Sequence, residues 1–201
     1  MAAASGSLAY SVLTAGETAA ALKDLARLRI AVFADWPYLY EGDAAYEAGY
    51  LARFAASPGA VIVAARDQDG RMVGAATAAP LADHAAEFAS PFARAGLDPG
   101  DFFYLAESVL VPDFRGQGAG RAFFDMREAE ARAQGYSRSV FCAVIRPDDH
   151  PARPAAYQSL EPFWRRLGYQ PLAGLVAEFS WRDRGEAGES VKPMQVWSKM
   201  L

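Results

Sequence analysis

The chain has 201 residues, 52% of them hydrophobic and 22% charged, so it can bury a sizeable core and is not globally disordered. Its formal net charge of −4 argues against electrostatic binding to nucleic acid or to an anionic membrane. The single cysteine, Cys142, excludes an intramolecular disulfide, and the distant His84 and His150 do not form a zinc-ligand pair. We therefore expect no metal, no nucleic-acid partner and no membrane partner.

The sequence also bears on domain organisation and location. No apolar run reaches the roughly 18 residues that a membrane-spanning helix requires, and the first ten residues lack the basic and apolar regions of a signal peptide. No internal repeat or low-complexity linker divides residues 1–201. We expect a single domain in a soluble, cytoplasmic protein.

Hydropathy periodicity and turn residues predict a mixed α/β order of elements. In chain order these are a strand at 8–13, helices at 18–34 and 46–57, hairpin strands at 61–67 and 71–79, a short helix at 83–95, a strand at 102–111, a helix at 119–134, a strand at 139–145, a helix at 157–167, and strands at 175–181 and 193–200. Strands and helices do not alternate regularly, so this order does not predict a Rossmann-type sheet.

The helix at 119–134 has the clearest amphipathic pattern. We expect its exposed side to carry the i,i+4 ion pairs Arg121–Asp125 and Glu128–Arg132. Its predicted apolar stripe consists of Ala119, Ala122, Phe123, Met126, Ala129 and Ala133.

The segment 111–121, VPDFRGQGAGR, points most directly to chemistry. Gly116, Gly118 and Gly120 alternate between a buried strand and this helix, so the backbone can approach a ligand closely. The helix offers unpaired N–H groups and the positive end of its dipole, which favour a phosphate or pyrophosphate. The alternative is a glycine-rich turn without a ligand. The segment contains neither a Walker A loop nor the dinucleotide fingerprint Gly-x-Gly-x-x-Gly.

What the segment does match is the pattern R-x-x-G-x-G, at Arg115, Gly118 and Gly120, preceded by L-x-P at 110–112. This resembles the coenzyme A loop of the GNAT superfamily of N-acetyltransferases. The block EPFWRRLGYQP at 161–171 is similar to the same superfamily's F-Y-x-K-L-G-F motif. The order of elements agrees as well, so the resemblance covers nearly the whole chain.

The resemblance implies a mixed, mostly antiparallel sheet with helices on both faces. Its central strands, 102–111 and 139–145, are expected to splay apart at a bulge near 107–110. The pantetheine arm of acetyl-CoA would lie in that gap, and backbone amides of 116–121 would hold the pyrophosphate. The residues implied to contact the coenzyme are Val109, Leu110, Val111, Arg115, Gly116, Gln117, Gly118, Ala119, Gly120 and Arg121.

The implied activity is acetyl-CoA-dependent transfer of an acetyl group to a primary amine of a small molecule or a protein. The backbone N–H of Leu110 would stabilise the oxyanion. Glu107, the only carboxylate within 103–111, is the expected base; the alternative is a structural ion pair with an arginine such as Arg146. Trp164 stands where the superfamily's acid tyrosine is expected and is predicted to pack in the core, so Tyr157 is the substitute acid.

The acceptor is expected between two segments. The loop 35–43 offers Tyr38 and Tyr40 among carboxylates, which suits a cationic amine with an aromatic or apolar body. Asp149 and His150 follow the strand at 139–145. The alternative is that the loop only packs two helices and that Asp149 and His150 belong to an ordinary turn.

Three further possibilities stay open on the sequence. The protein could be a non-catalytic acyl-CoA-binding or regulatory module, a reading that Trp164 favours and Glu107 opposes. The small residues Ala106 and Ser108 leave room for a longer acyl-CoA. A homodimer formed through the C-terminal strands is the third.

Overall fold

A seven-stranded sheet forms the centre of the computed structural model, which describes residues 7–201 apart from the side chains of 85–87 and 89. The strands are β1 (Ala9–Val12), β2 (Val61–Arg66), β3 (Met72–Pro80), β4 (Phe103–Leu110), β5 (Arg138–Val144), β6 (Gln170–Trp181) and β7 (Ser190–Met200). The helices are α1 (Ala15–Phe33), α2 (Ala44–Ala55), α3 (Ala85–Arg94), α4 (Ala119–Ala133) and α5 (Glu161–Arg166). Residues 1–6, on which part of the signal-peptide prediction rests, lie outside the described residues.

The strand order is β1-β2-β3-β4-β5-β7-β6, and every neighbouring pair is antiparallel except β4 and β5. The predicted mixed, mostly antiparallel sheet is therefore confirmed. None of the helices within residues 7–201 combines the length and the hydropathy needed to cross a membrane.

Several element boundaries differ from the predicted ones, and three of the differences have local reasons. Helix α1 starts three residues early because Thr14 and Glu17 form a capping box, in which the carboxylate of Glu17 accepts the N–H of Thr14 at 2.9 Å. Helix α5 starts four residues late, at Glu161, after turns that occupy 151–157. Strand β6 starts at Gln170 because an irregularity between Pro171 and Val176 lets it resume pairing with β7.

Strands β4 and β5 separate soon after they begin. They pair only at Phe103–Ser139 and Tyr104–Val140, and no later pairs follow. On its other side β4 carries a bulge, because Ala76 pairs with Ser108 while Ala78 pairs with Leu105. Two residues, Ala106 and Glu107, thus oppose the single residue Thr77. The predicted splay is confirmed, and the bulge lies slightly before the predicted 107–110.

Helices cover both faces of the sheet. On one face α1 and α2 bury Leu25, Leu28 and Leu51 against the sheet, and α3 packs beside β6. On the other face Phe123 and Phe124 of α4 pack together with α5. Trp164 of α5 lies in this second core, with its ring centroid 5.0 Å from Phe141 and 5.2 Å from Trp197. Its predicted packing position is therefore confirmed.

The buried side of α4 differs from the predicted stripe. Ala129 and Ala133 are exposed, whereas Arg127 and Glu128 are buried. Other partners account for the burial of Glu128, which was expected to be exposed. Its carboxylate accepts hydrogen bonds from Nζ of Lys199 at 2.7 Å and from the Tyr169 hydroxyl at 3.0 Å. Arg132, the predicted partner, lies at 3.6 Å and is half-exposed.

This arrangement predicts that Lys199→Met destabilises the fold. The carboxylate of Glu128 would stay buried without its cationic partner, which should lower the free energy of unfolding by about 1–3 kcal/mol. Urea unfolding measures the change. Arg132→Met is the matched control, because a long, half-exposed pair on the same carboxylate should contribute about 0.5 kcal/mol or less. Equal losses in the two variants would contradict this account of Glu128.

Candidate active site

The loop between β4 and α4 exposes its backbone to solvent around Gly116 and Gly118. Gly116 and Gly118 have φ angles of +78° and +87°, which favour glycine, and a Cβ at either position would meet no atom within 4 Å. Gly118 is the N-cap of α4 and supplies no side chain to the first-turn N–H groups. These N–H groups and the helix dipole can therefore bind an anion, with the exposed Arg115 beside them.

The other predicted residues of this loop differ in what they can offer. Gly120 packs closely against α5, since a Cβ there would lie 3.3 Å from Cζ of Phe163. The side chain of Ala119 is buried in the core, so both residues can meet a ligand only through their backbone. Arg121 is exposed and pairs with Asp125 at 3.4 Å, as predicted. Gln117 is exposed at the tip of the loop.

At the end of β4 a single predicted residue turns its amide to the gap. The N–H of Val111 donates to the carbonyl of Val73 on β3 at 3.0 Å. Because successive residues of a strand point their N–H groups to opposite sides, that of Leu110 points toward the space between β4 and β5. By the same alternation, the N–H of Val109 faces β3. Of Val109, Leu110 and Val111, only Leu110 offers an N–H donor to the gap.

Glu107 lies in the bulge with its side chain on the α1 face of the sheet, 7% exposed. Its Oε2 atom is 2.8 Å from a guanidinium nitrogen of Arg29, and its Oε1 atom is buried without a hydrogen-bond partner among the described residues. The ion pair with an arginine that the sequence offered as the alternative is therefore present, but its partner is Arg29 rather than Arg146, whose guanidinium binds Asp183. One carboxylate oxygen of Glu107 is thus left to accept a proton or a hydrogen bond.

A second buried carboxylate shares Arg29. The Nε atom of Arg29 donates to Oε2 of Glu47, which is fully buried. The guanidinium carbon lies 4.5 Å from the Tyr50 ring centroid and 5.2 Å from that of Phe33. Burial by itself would lower the pKa of Arg29, but Glu107, Tyr50 and Glu47 raise it above its ordinary value. Two buried carboxylates thus converge on one guanidinium.

A cavity of about 890 Å³ opens above Glu107. Its inner end reaches Ala106 and Glu107 of β4 and Cys142 of β5, the two strands that flank the gap. Its walls are mainly aromatic and include both predicted residues, Tyr38 and Tyr40. Burial raises the pKa of both phenols, so they are neutral at physiological pH. The lining carries five carboxylates and three guanidinium groups, so its carboxylates outnumber its arginines.

The loop that carries Tyr38 and Tyr40 is pinned to the C-terminal hairpin. Asp183, between β6 and β7, binds the guanidinium of Arg146 at 2.6 and 3.0 Å and Nζ of Lys192 at 3.2 Å. Arg146 donates in turn to the carbonyls of Pro37 and Tyr38, at 2.8 and 2.7 Å. The position of the cavity wall therefore depends on a buried ion-pair network.

Two other predicted acceptor residues lie elsewhere. Asp149 is exposed, and His150 packs its ring 5.1 Å from Trp36; neither lines the cavity. Tyr157 also contacts Trp36, with its ring centroid at 5.8 Å. It precedes α5, whereas the predicted helix at 157–167 would have carried both Tyr157 and Trp164. Burial raises the pKa of the Tyr157 phenol.

The sequence did not predict that Arg29, Glu47 and Asp183 contribute to this site. Arg29 stands four residues after the buried Leu25, and Glu47 stands four before the buried Leu51. A charged residue at the buried spacing of a helix is a signal that could have found both. Asp183 carries no comparable signal, because its partners come from segments distant in sequence.

Comparisons with known proteins agree with the fold of this chain. Residues 25–169 match the family model described as the acetyltransferase (GNAT) family. The chain belongs to this family of acetyltransferases, whose general chemistry is acetyl-CoA-dependent acyl transfer. No curated protein matches the chain.

Solved structures share the fold at low sequence identity. A phosphinothricin acetyltransferase of the GNAT superfamily from Sinorhizobium meliloti, in complex with acetyl-CoA, is 16% identical, with a TM-score of 0.58 over 96% of this chain and 88% of that one. A GCN5-related N-acetyltransferase from Kribbella flavida is 15% identical, with a TM-score of 0.57 over 96% and 98%. At this identity the likeness extends to the fold alone.

The ion-pair network predicts that Asp183→Asn loosens the cavity wall. Without the carboxylate, Arg146 and Lys192 repel each other, so amide exchange in residues 35–41 should accelerate by about tenfold or more. Hydrogen exchange followed by mass spectrometry measures this. Glu41→Gln is the control, because it removes a half-exposed pair with Arg182 in the same region. Unchanged exchange in Asp183→Asn would refute the anchoring role.

Proposed function

We propose that the protein transfers an acetyl group from acetyl-CoA to a primary amine. The observation that carries this proposal is the buried, unpartnered Oε1 of Glu107, located where the aromatic cavity meets the gap between β4 and β5. A carboxylate oxygen at that point can accept the proton that an amine must lose before it attacks a thioester. The cavity on one side of Glu107 would hold the amine, and the gap on the other side would hold the thioester.

The coenzyme's pyrophosphate would lie against the uncapped N-terminus of α4. The backbone around Gly116 and Gly118 leaves space there, and Arg115 adds a positive charge. When bound, acetyl-CoA supplies an activated thioester carbonyl. The chain's own contribution at that carbonyl is the N–H of Leu110, which would donate to its oxygen as negative charge develops during the attack.

The proton path follows from the same geometry. Oε1 of Glu107 takes a proton from the substrate ammonium or amine, while Arg29 holds the other oxygen and keeps the carboxylate oriented. Tyr157 is the proposed donor to the departing thiolate. Its raised pKa keeps the phenol protonated at neutral pH.

The acceptor that suits this cavity is a basic amine with an aromatic or apolar body. Tyr38, Tyr40 and Trp181 offer flat surfaces to such a body. The excess of carboxylates over arginines in the lining favours a cation over an anion.

An amine panel tests the reaction and the acceptor class together. We expect coenzyme A release, measured with a thiol reagent, to be fastest with aryl-alkyl amines and slowest with glutamate-like or phosphorylated amines. In Tyr40→Ala the KM for the amine should rise while acetyl-CoA affinity stays unchanged, as expected when only acceptor binding is lost. Acetyl-CoA binding without release on any amine would support a non-catalytic module instead. Release only with acidic amines would contradict the proposed pocket.

For the coenzyme loop, we expect Gly118→Asp to abolish acetyl-CoA binding in isothermal titration calorimetry. The new carboxylate would occupy the pyrophosphate's place and repel it. Gly135→Asp is a closely matched control, because Gly135 also has φ +87° and open space around its Cβ position, so backbone strain is the same. Equal affinities for the two variants would mean that the loop does not hold the coenzyme.

For the base, we expect Glu107→Gln to lower kcat by roughly 10²–10⁴-fold with little change in acetyl-CoA affinity. An amide cannot accept the proton, yet it can still bond to Arg29. The lost rate should partly return as pH rises, because more of the amine is then already deprotonated. A pH–rate profile parallel to that of the wild type, with kcat unchanged, would assign Glu107 to structure.

A further inference from the structure

A buried guanidinium from α4 lies directly behind the bulge of β4. Arg127 is 1% exposed. One of its terminal nitrogens donates to the carbonyl of Thr77 at 3.1 Å and to that of Glu107 at 3.0 Å, and the other donates to Oγ of Ser108 at 2.9 Å. Its Nε donates to the carbonyl of Phe123 at 3.0 Å, one turn earlier in α4.

Two of these acceptors, the carbonyls of Thr77 and Glu107, lie at the bulge. A bulge leaves an extra residue unpaired and interrupts the regular hydrogen bonds between the strands. Backbone carbonyls that lose their partners in a buried sheet need another donor. Thr77 and Glu107 stand opposite each other at this point, one on each strand. The fork of donors on one guanidinium reaches both strands at once, which a shorter or apolar side chain cannot do.

The charge of Arg127 is otherwise a cost to the fold. No carboxylate among the described residues forms a salt bridge with it. Burial lowers the pKa of its guanidinium to about 10, so it is still protonated at neutral pH. An apolar residue of similar size would fill the same space without burying a charge. The hydrogen bonds to the bulge are what distinguish Arg127 from such a residue.

We propose that Arg127 is a positioning residue that fixes the bulged register of β4 and thereby keeps both the base and the oxyanion donor in place. The inference rests on the proposed function, because it assigns roles to Glu107 and Leu110. It concerns a residue that touches neither the cavity nor the coenzyme loop.

The consequence of losing the bulge follows from strand periodicity. If β4 paired regularly with β3, every residue after Ala106 would shift by one position. Leu110 would take the place of Val111, whose N–H donates to Val73 rather than to the gap. Glu107 would take the place of Ser108 opposite Ala76, on the α4 face, and would leave the cavity. One register step therefore removes both catalytic groups together.

Arg127→Met tests the proposal, with Lys199→Met as the matched control. Each variant removes one cationic side chain. Arg127 belongs to α4 and contacts β4, whereas Lys199 contacts Glu128 of α4 and not β4. At a temperature where both are folded, we expect Arg127→Met to weaken acetyl-CoA binding by about tenfold or more and to lower kcat as well. Lys199→Met should keep wild-type affinity despite its lower stability. Hydrogen exchange in residues 105–110 should change only in Arg127→Met.

The outcomes separate this inference from the proposed function. Failure of the wild-type protein to bind acetyl-CoA would refute the proposed function. If the wild-type protein binds acetyl-CoA and Arg127→Met leaves affinity, kcat and hydrogen exchange unchanged, only the role of Arg127 is overturned. The same holds if Lys199→Met loses as much affinity and activity as Arg127→Met. If Arg127→Met does not fold, Arg127→Lys takes its place, since it keeps the charge but not the fork. Weakened affinity in that variant supports the proposal, and wild-type affinity overturns it.

Discussion

The separation of β4 from β5 is the constraint on which the site depends. Two parallel strands in the middle of a sheet would normally continue to pair, because their buried N–H and C=O groups need partners. Here they pair at two positions and then diverge, while β4 keeps its ladder with β3 only by means of a bulge. The divergence frees the N–H of Leu110, and the bulge directs Glu107 into the cavity. The proposed oxyanion donor and the proposed base both follow from one irregularity.

Buried guanidinium groups lie on both sides of that irregularity. Arg29 of α1 binds the side chain of Glu107 from one face, and Arg127 of α4 binds its carbonyl from the other. Buried charges of this kind add little net stability, because desolvation offsets much of the attraction. They are selective, however, because the contact of Arg29 with Glu107 and the hydrogen bonds from Arg127 to the carbonyls of Thr77 and Glu107 need the bulged register. We interpret the two arginines as groups that specify the geometry of β4 more than they stabilise it.

The proposed acceptor cavity depends on segments far apart in the chain. The loop after α1 supplies its tyrosines, and Arg146 after β5 together with Asp183 between β6 and β7 anchors that loop. A loop so anchored presents a preformed wall, and preformed walls reduce the entropy lost on binding. This fits a pocket whose selectivity comes from its shape and charge.

The sequence by itself determined the element order and the family, and it indicated the proposed coenzyme loop. These follow from local signals: hydropathy periods, and glycines at Gly116 and Gly118 whose conformations belong to the loop itself. It also indicated Glu107, because a carboxylate in an apolar strand is unusual. Only the tertiary structure decided the partners of that carboxylate, the burial of Arg127 and Glu128, and the displacement of His150 and Asp149 from the cavity. The physical reason is that a long charged side chain is stabilised in the core only by particular groups from other elements, and no local pattern records which groups folding brings within reach.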